Sequence, residues 1–86
     1  MTYAVTFTAS AARELRKLDR PVRSRLLEAI ESLGNQPRPH GCIKLAGEER
    51  AWRIRVGEHR VIYEIDAGVL VAWVIRAAHR REVYRP

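Results

Sequence analysis

The segment Ala51 to Asp66, A-W-R-I-R-V-G-E-H-R-V-I-Y-E-I-D, decides the fold. Trp52, Ile54 and Val56 alternate with Arg53 and Arg55, Gly57-Glu58-His59 interrupts them, and alternation resumes from Arg60 through Ile65. A period of two on either side of a short glycine-containing break reads as two antiparallel strands joined by a tight turn. Successive side chains on a strand point to opposite faces, so burying Trp52, Ile54 and Val56 obliges Arg53 and Arg55 to project from the other face. Pairing that sets Arg60 beside them gathers three guanidinium groups on one patch of sheet. Like charges on neighbouring strands oppose folding unless an anion compensates, so the patch points to a polyanion.

Upstream of the hairpin, Tyr3, Val5 and Phe7 share one face of a β-rich run that reads as a first strand. Thr8 or Ser10 is placed to cap a helix in which Ala11, Ala12, Leu15 and Leu18 fall at helical spacing. Asp19-Arg20-Pro21 stops and restarts the chain, with Asp19 expected to accept from the free N–H groups of a second helix. That helix keeps Val22, Leu26, Ile30 and Leu33 on one face, and Gly34-Asn35 is expected to end it in a left-handed cap. Two amphipathic helices need an apolar surface to lie on, and the sheet is the only candidate. Residues Gln36 to Arg50 are irregular because Pro37, Pro39, Gly41 and Gly47 interrupt them; here Ile43 and Leu45 are expected to reach the core and Lys44 to face outward. Beyond the hairpin, Ala67-Gly68 makes a turn, and Val69 to Ile75 is apolar on both faces, as befits a central strand. The expected architecture is α+β, with an N-terminal strand, a two-helix hairpin and a three-stranded antiparallel meander forming one curved sheet in a single domain, residues 1–86.

Composition narrows the function. A chain of 86 residues with 47% hydrophobic side chains suffices for one core, burying about 60 to 65% of the surface exposed on unfolding. The single Cys42 excludes an intramolecular disulfide and fits a reducing cytoplasm. No apolar run approaches the roughly 18 residues a bilayer span requires, and Met1 to Ser10 lacks the features of a signal peptide; the expectation is a cytoplasmic protein without membrane association. His40 and Cys42 have no matching ligand pair elsewhere, so a zinc site is not expected, nor is any other metal or cofactor. The net charge is +6, and fourteen of the sixteen basic residues are Arg, spread through the chain rather than gathered in a tail. A planar guanidinium suits phosphate and stacks on bases.

The ending Arg76 to Pro86, R-A-A-H-R-R-E-V-Y-R-P, carries four Arg, one His and one Tyr. Two readings stay open: a segment that takes phosphates on its charges and a base on the tyrosine, or a basic tail anchored by Tyr84.

These stretches together resemble the RelE branch of the RelE/ParE toxin superfamily. The likeness runs from Y-A-V-T-F and the A-x-x-x-L-x-K-L helix, through K-L-x-G at Lys44 to Gly47 and the W-R-I-R-V-G-E-H-R-V-I-Y-E-I hairpin, to the closing H-R-R-E-V-Y. The resemblance implies a RelE-like fold of the microbial ribonuclease type. It further implies a toxin of a type II toxin–antitoxin pair, an endoribonuclease that cuts mRNA in the ribosomal A site and inhibits translation. The implied reaction is attack of an RNA 2′-hydroxyl on its own 3′-phosphate, with no metal, and the implied partner is a RelB-like antitoxin with an acidic amphipathic segment. Position by position, Arg53 and Arg55 match the two basic residues of the strand before the turn, Arg60 the arginine after it, Arg80 the arginine beyond the last strand and Tyr84 the tyrosine near the end. In RelE itself the first two positions are lysines. Guanidinium does not deprotonate in proteins, so Arg53 and Arg55 do not serve as a general base. His79 is the nearest side chain able to take that role, against the simpler reading that it packs at the end of a strand, while His59 reads as an exposed turn residue. Two other functions remain open: a ParE-like toxin that inhibits DNA gyrase without cutting RNA, and a non-catalytic RNA-binding module.

Overall fold

Thr8 ends the first strand and starts the first helix at once. Its hydroxyl accepts from the Ala11 N–H at 3.1 Å, as an N-cap should, and donates to the Ile75 carbonyl at 3.0 Å, pinning the helix start to the last strand. The computed structural model describes residues 2–79. In chain order the elements are β1 (Ala4–Phe7), α1 (Ala9–Arg16), α2 (Arg20–Ser32), β2 (Ile43–Lys44), β3 (Ala51–Val56), β4 (His59–Asp66) and β5 (Val71–His79). The sheet order is β1-β5-β4-β3-β2. β1 runs parallel to β5 and the other pairs are antiparallel. This is the expected α+β fold, with the helices on one face of the sheet.

The apolar periodicities land where the spacing puts them. Leu15 of α1 and Leu26 and Ile30 of α2, with Leu33 just beyond it, meet Ile54, Val61, Tyr63, Ile65, Val74 and Ala77 of the sheet in one buried cluster. Each fully buried aliphatic side chain there contributes roughly 1.5–3 kcal/mol. Arg23 ties the helical hairpin together by donating from Nε to the Leu15 carbonyl at 3.2 Å and from Nη2 to the Leu18 carbonyl at 2.8 Å, adding to the Leu18 N–H that Leu15 already accepts.

Three local expectations are corrected. Asp19 stands at the N-cap of α2 but makes no side-chain capping bond. Gly34 is not left-handed; α2 runs out through three successive i→i−3 bonds, Leu33 N–H to Ile30, Gly34 to Glu31 and Asn35 to Ser32, the tighter turn common at helix ends. Glycine is needed at 34 for space instead, since a Cβ there would sit 3.0 Å from the Tyr3 carbonyl oxygen. Finally, Ile43 does not reach the core. It lies in a fifth strand, β2, opposite Arg53, and is 50% exposed, while Cys42 packs against the core and Leu45 is half-buried. Two residues flanked by Pro39 and Gly47 are too short for an alternation pattern to reveal, which is why the parity was lost.

Beyond Phe7, β1 no longer covers β5, and Glu14 of α1 takes over that edge. Its carboxylate accepts from the Ala77 N–H and from Arg76 Nε, both at 2.9 Å, and Arg76 Nη2 lies 2.7 Å away. Burial alone would raise the Glu14 pKa, but the bonds from Arg76 and Ala77 outweigh it and hold the carboxyl below its ordinary range. Because the folded pKa is depressed, the stabilisation is complete above the unfolded value and is lost as pH falls through the folded one. Glu14→Gln should therefore be less stable than wild type at neutral pH, with the difference shrinking in acid. Urea midpoints measured from pH 7 to pH 3 check this, and a difference that does not narrow would remove Glu14 from the acid response.

Candidate nucleic-acid interface

The two-residue turn Gly57-Glu58 sets the register of the hairpin. Gly57 has φ 61° and Glu58 a negative φ, the pattern of a type II′ turn that needs glycine first. From it the pairs run Val56 with His59, Arg55 with Arg60, Ile54 with Val61, Arg53 with Ile62 and Trp52 with Tyr63. Ile54, Val61 and Tyr63 belong to the core, so alternation directs Arg53, Arg55 and Arg60 to the face away from the helices. Arg55 and Arg60 are direct cross-strand partners, a separation of about 4.5–5.5 Å between Cβ atoms. Arg53 lies two residues along the same strand, about 7 Å away.

Arg60 is only 8% exposed, Arg53 is half-buried and Arg55 is exposed. Like charges directly opposite each other are unfavourable on a sheet, and the three guanidinium groups make this face strongly basic. Arg55 Nε donates to the Gly57 carbonyl at 3.1 Å, and Arg25 Nη2 stands 2.9 Å from where a Cβ of Gly57 would be. A fourth guanidinium thus borders the turn. Nothing in the hairpin's own sequence announces Arg25, which α2 delivers from the other side.

Arg76 pairs with Ile62 on the same face, yet its guanidinium turns back to Glu14 and is neutralised there. The structure does not bring His79 to the three arginines. A register shift at Ile62/Tyr63 makes Ala78 the partner of Arg60 and sets His79 opposite His59, with the two imidazole rings edge to face at 5.6 Å. Both border a hollow with Glu14, Lys17, Leu18 and Ala77, on the helix-covered side. His59 is half-buried rather than exposed. Arg80 and Tyr84 lie outside the described residues. Among the described residues, no three His, Cys, Asp or Glu side chains are grouped to hold a metal, and no helix is long and apolar enough to cross a membrane.

The run Val69 to Ile75, apolar on both faces, gives no sign of which of its side chains meets solvent. Trp73 pairs with Glu64 and with Thr6 and is 43% exposed, on the same face as the arginines.

Comparison with known proteins places these features in a family context. Residues 5–84 match the family model described as ParE toxin of type II toxin–antitoxin system, parDE. The chain is 34% identical over 89 residues to Toxin RelG of Mycobacterium tuberculosis, covering 99% of each. Among solved structures, it superposes on a chain of the toxin–antitoxin complex RelBE2 from Mycobacterium tuberculosis with a TM-score of 0.83 at 28% identity, covering 93% of both chains. It matches a mutant of the Escherichia coli toxin RelE in the free state with the same TM-score, 0.83, at 28% identity, covering 98% of this chain and 92% of that one.

Proposed function

The chain matches the ParE toxin family of type II toxin–antitoxin systems over residues 5–84 and is a RelE family toxin, and on that premise we propose that it is a metal-independent endoribonuclease that cuts mRNA in the ribosomal A site. The observation that carries this reading is the convergence of Arg53, Arg55 and Arg60 on the open face, with Arg55 and Arg60 directly paired. In the proposed reaction the 2′-hydroxyl oxygen of a nucleotide attacks its own 3′-phosphorus and gives up its proton to a base. The bond to the next nucleotide's 5′-oxygen breaks, and that oxygen takes up a proton. The products are a 2′,3′-cyclic phosphate and a 5′-hydroxyl. Charge builds on the phosphorane oxygens, and fixed guanidinium donors stabilise it without reorganising. Arg60 and Arg80 are assigned to that task, Arg53 and Arg55 to gripping the flanking phosphates, and Tyr84 to stacking on a base beside the cut.

None of these arginines removes the 2′-hydroxyl proton. His79 could do so only if the RNA reached round the end of β5 to the helix side, so in this reading the ribosome aligns the 2′-hydroxyl, and water or a ribosomal group takes its proton and supplies one to the leaving 5′-oxygen. Alignment of reacting groups is among the largest contributions available to a catalyst. His79→Ala should then cleave within about twofold of wild type with an unshifted pH profile, since loss of a true general base costs on the order of 100-fold or more. A loss of that size would return His79 to the chemistry.

The partner in this reading is a RelB-like antitoxin. The Mycobacterium tuberculosis structure is a toxin–antitoxin complex, and a basic open face on a chain of net charge +6 is complementary to an acidic amphipathic segment. The deciding experiment is induced expression with mapping of RNA ends. New 5′-hydroxyl ends within translated reading frames, and cyclic phosphates facing them, support the nuclease. Poisoned gyrase with intact mRNA selects a ParE-like inhibitor instead.

A further inference from the structure

The open face carries a second feature that the proposed chemistry does not use. Trp73 stands on β5, a central strand, between Thr6 of β1 and Glu64 of β4. Its neighbours Ala72 and Val74 are fully buried, so the backbone that presents it is held in the core while 43% of the residue meets solvent. An aromatic ring half in water at the middle of a rigid sheet buries less apolar area than its size offers. On β4, Arg60, Ile62 and Glu64 occupy successive positions of one face, and the register shift at Ile62/Tyr63 leaves the Glu64–Trp73 pair on that face. Arg60 and Glu64 are four residues apart, about 13 Å along the strand, and Trp73 is one strand further, another ~5 Å across. A few nucleotides of extended RNA span that distance. The path between runs over Ile62 of β4, with Arg53 beside it on β3.

We infer that Trp73 and Glu64 form a base-binding position for the RNA, a few nucleotides from the phosphate held at Arg55 and Arg60; this rests on the nuclease reading for the identity of the polymer. The indole face stacks on the base, as aromatic platforms on sheets do for single strands. Glu64, the cross-strand neighbour of Trp73, offers a carboxylate acceptor beside it. A carboxylate accepts from the N4 amino group of cytosine and repels the O4 oxygen that uracil carries there. The position therefore favours cytidine over uridine, and Trp73 acts in positioning and selectivity, not in bond cleavage.

The test uses intact protein and short 2′-O-methyl RNA oligonucleotides, which bind but lack the attacking hydroxyl. Of the two tryptophans, Trp52 is half-buried beneath the Arg38 guanidinium, 5.4 Å from its ring centroid, so quenching by RNA reports on Trp73. Wild type should be quenched, more strongly by cytidine-rich than by uridine-rich oligomers. Trp73→Phe should lose the quenching but keep the affinity, and Trp73→Ala should bind about 10-fold more weakly. Glu64→Gln should bind cytidine and uridine oligomers alike. On programmed ribosomes, Trp73→Ala should raise KM with little change in kcat. Saturable binding without quenching, or an unchanged KM and affinity in Trp73→Ala, overturns the inference and leaves the nuclease reading standing. Quenching that persists in a protein that cuts no RNA overturns the nuclease and leaves the base-binding position standing. Quenching by an acidic amphipathic antitoxin peptide and by no RNA assigns Trp73 to the antitoxin and overturns the inference.

Discussion

Arg60→Ala should lower RNA cleavage by about 100- to 1,000-fold, the loss found when one preorganised donor to a developing oxyanion is removed, while the protein stays folded. Both halves follow from position. Arg60 is on β4, fixed between β3 and β5, and at 8% exposure its guanidinium has little freedom to lose when a phosphate arrives. Its cross-strand neighbour is Arg55, so deleting it relieves a like-charge contact of about 0.2–1 kcal/mol, against the interactions lost with the side chain. A thermal midpoint close to that of wild type is expected beside a nearly silent enzyme. Arg60→Lys should be intermediate, because an ammonium keeps the charge and loses the two-pronged geometry that fits phosphate. Primer extension on translated mRNA gives the rates, and circular dichroism the midpoints. Cleavage within threefold of wild type in Arg60→Ala would mean that the phosphate sits elsewhere.

The hairpin shows how much of this was legible and why. Alternation in residues 51 to 66 gives the faces, but the sequence shows the break as Gly57-Glu58-His59 and leaves the pairing of Arg60 conditional; the two-residue turn, with His59 already in β4, supplies the register that brings Arg60 to Arg55. The helical hairpin was legible for the same reason, since Val22, Leu26, Ile30 and Leu33 repeat at helical spacing. What escaped depends on distant partners. The Arg76 guanidinium counts as part of a basic ending until Glu14, 62 residues earlier, is found beside it. His79 looks adjacent to the arginines in sequence, but the register shift at Ile62/Tyr63 changes which residues of β5 share the face of Arg60. Arg25 reaches Gly57 only because α2 packs over the hairpin tip. Trp73 was concealed by its neighbours, for a run apolar on both faces gives no contrast between a ring in the core and a ring in water.

Tyr63→Ala should be the most destructive single change among the core positions, costing about 3–5 kcal/mol out of the 5–15 kcal/mol that a small domain possesses. Tyr63 is fully buried, lies opposite Trp52 and donates its hydroxyl to the Pro37 carbonyl at 2.6 Å. It therefore packs the sheet and also ties down the irregular stretch after α2. The two contributions separate in Tyr63→Phe, which keeps the ring and leaves the Pro37 carbonyl without its donor, at a cost of about 1–3 kcal/mol. For a domain of this size each kcal/mol lowers the thermal midpoint by roughly 4–8 °C, so the two variants are readily told apart by melting. Burial, with Cys42 nearby adding to it, pushes the Tyr63 hydroxyl well above its ordinary pKa. A raised folded pKa means that this stabilisation is complete below the unfolded tyrosine value and is lost as pH rises above it. Wild type should accordingly lose stability in strong alkali, and Tyr63→Phe should lose less of its own. Equal stability of Tyr63→Phe and wild type at neutral pH would show that the Pro37 carbonyl is satisfied by water and that the bond does not hold the stretch.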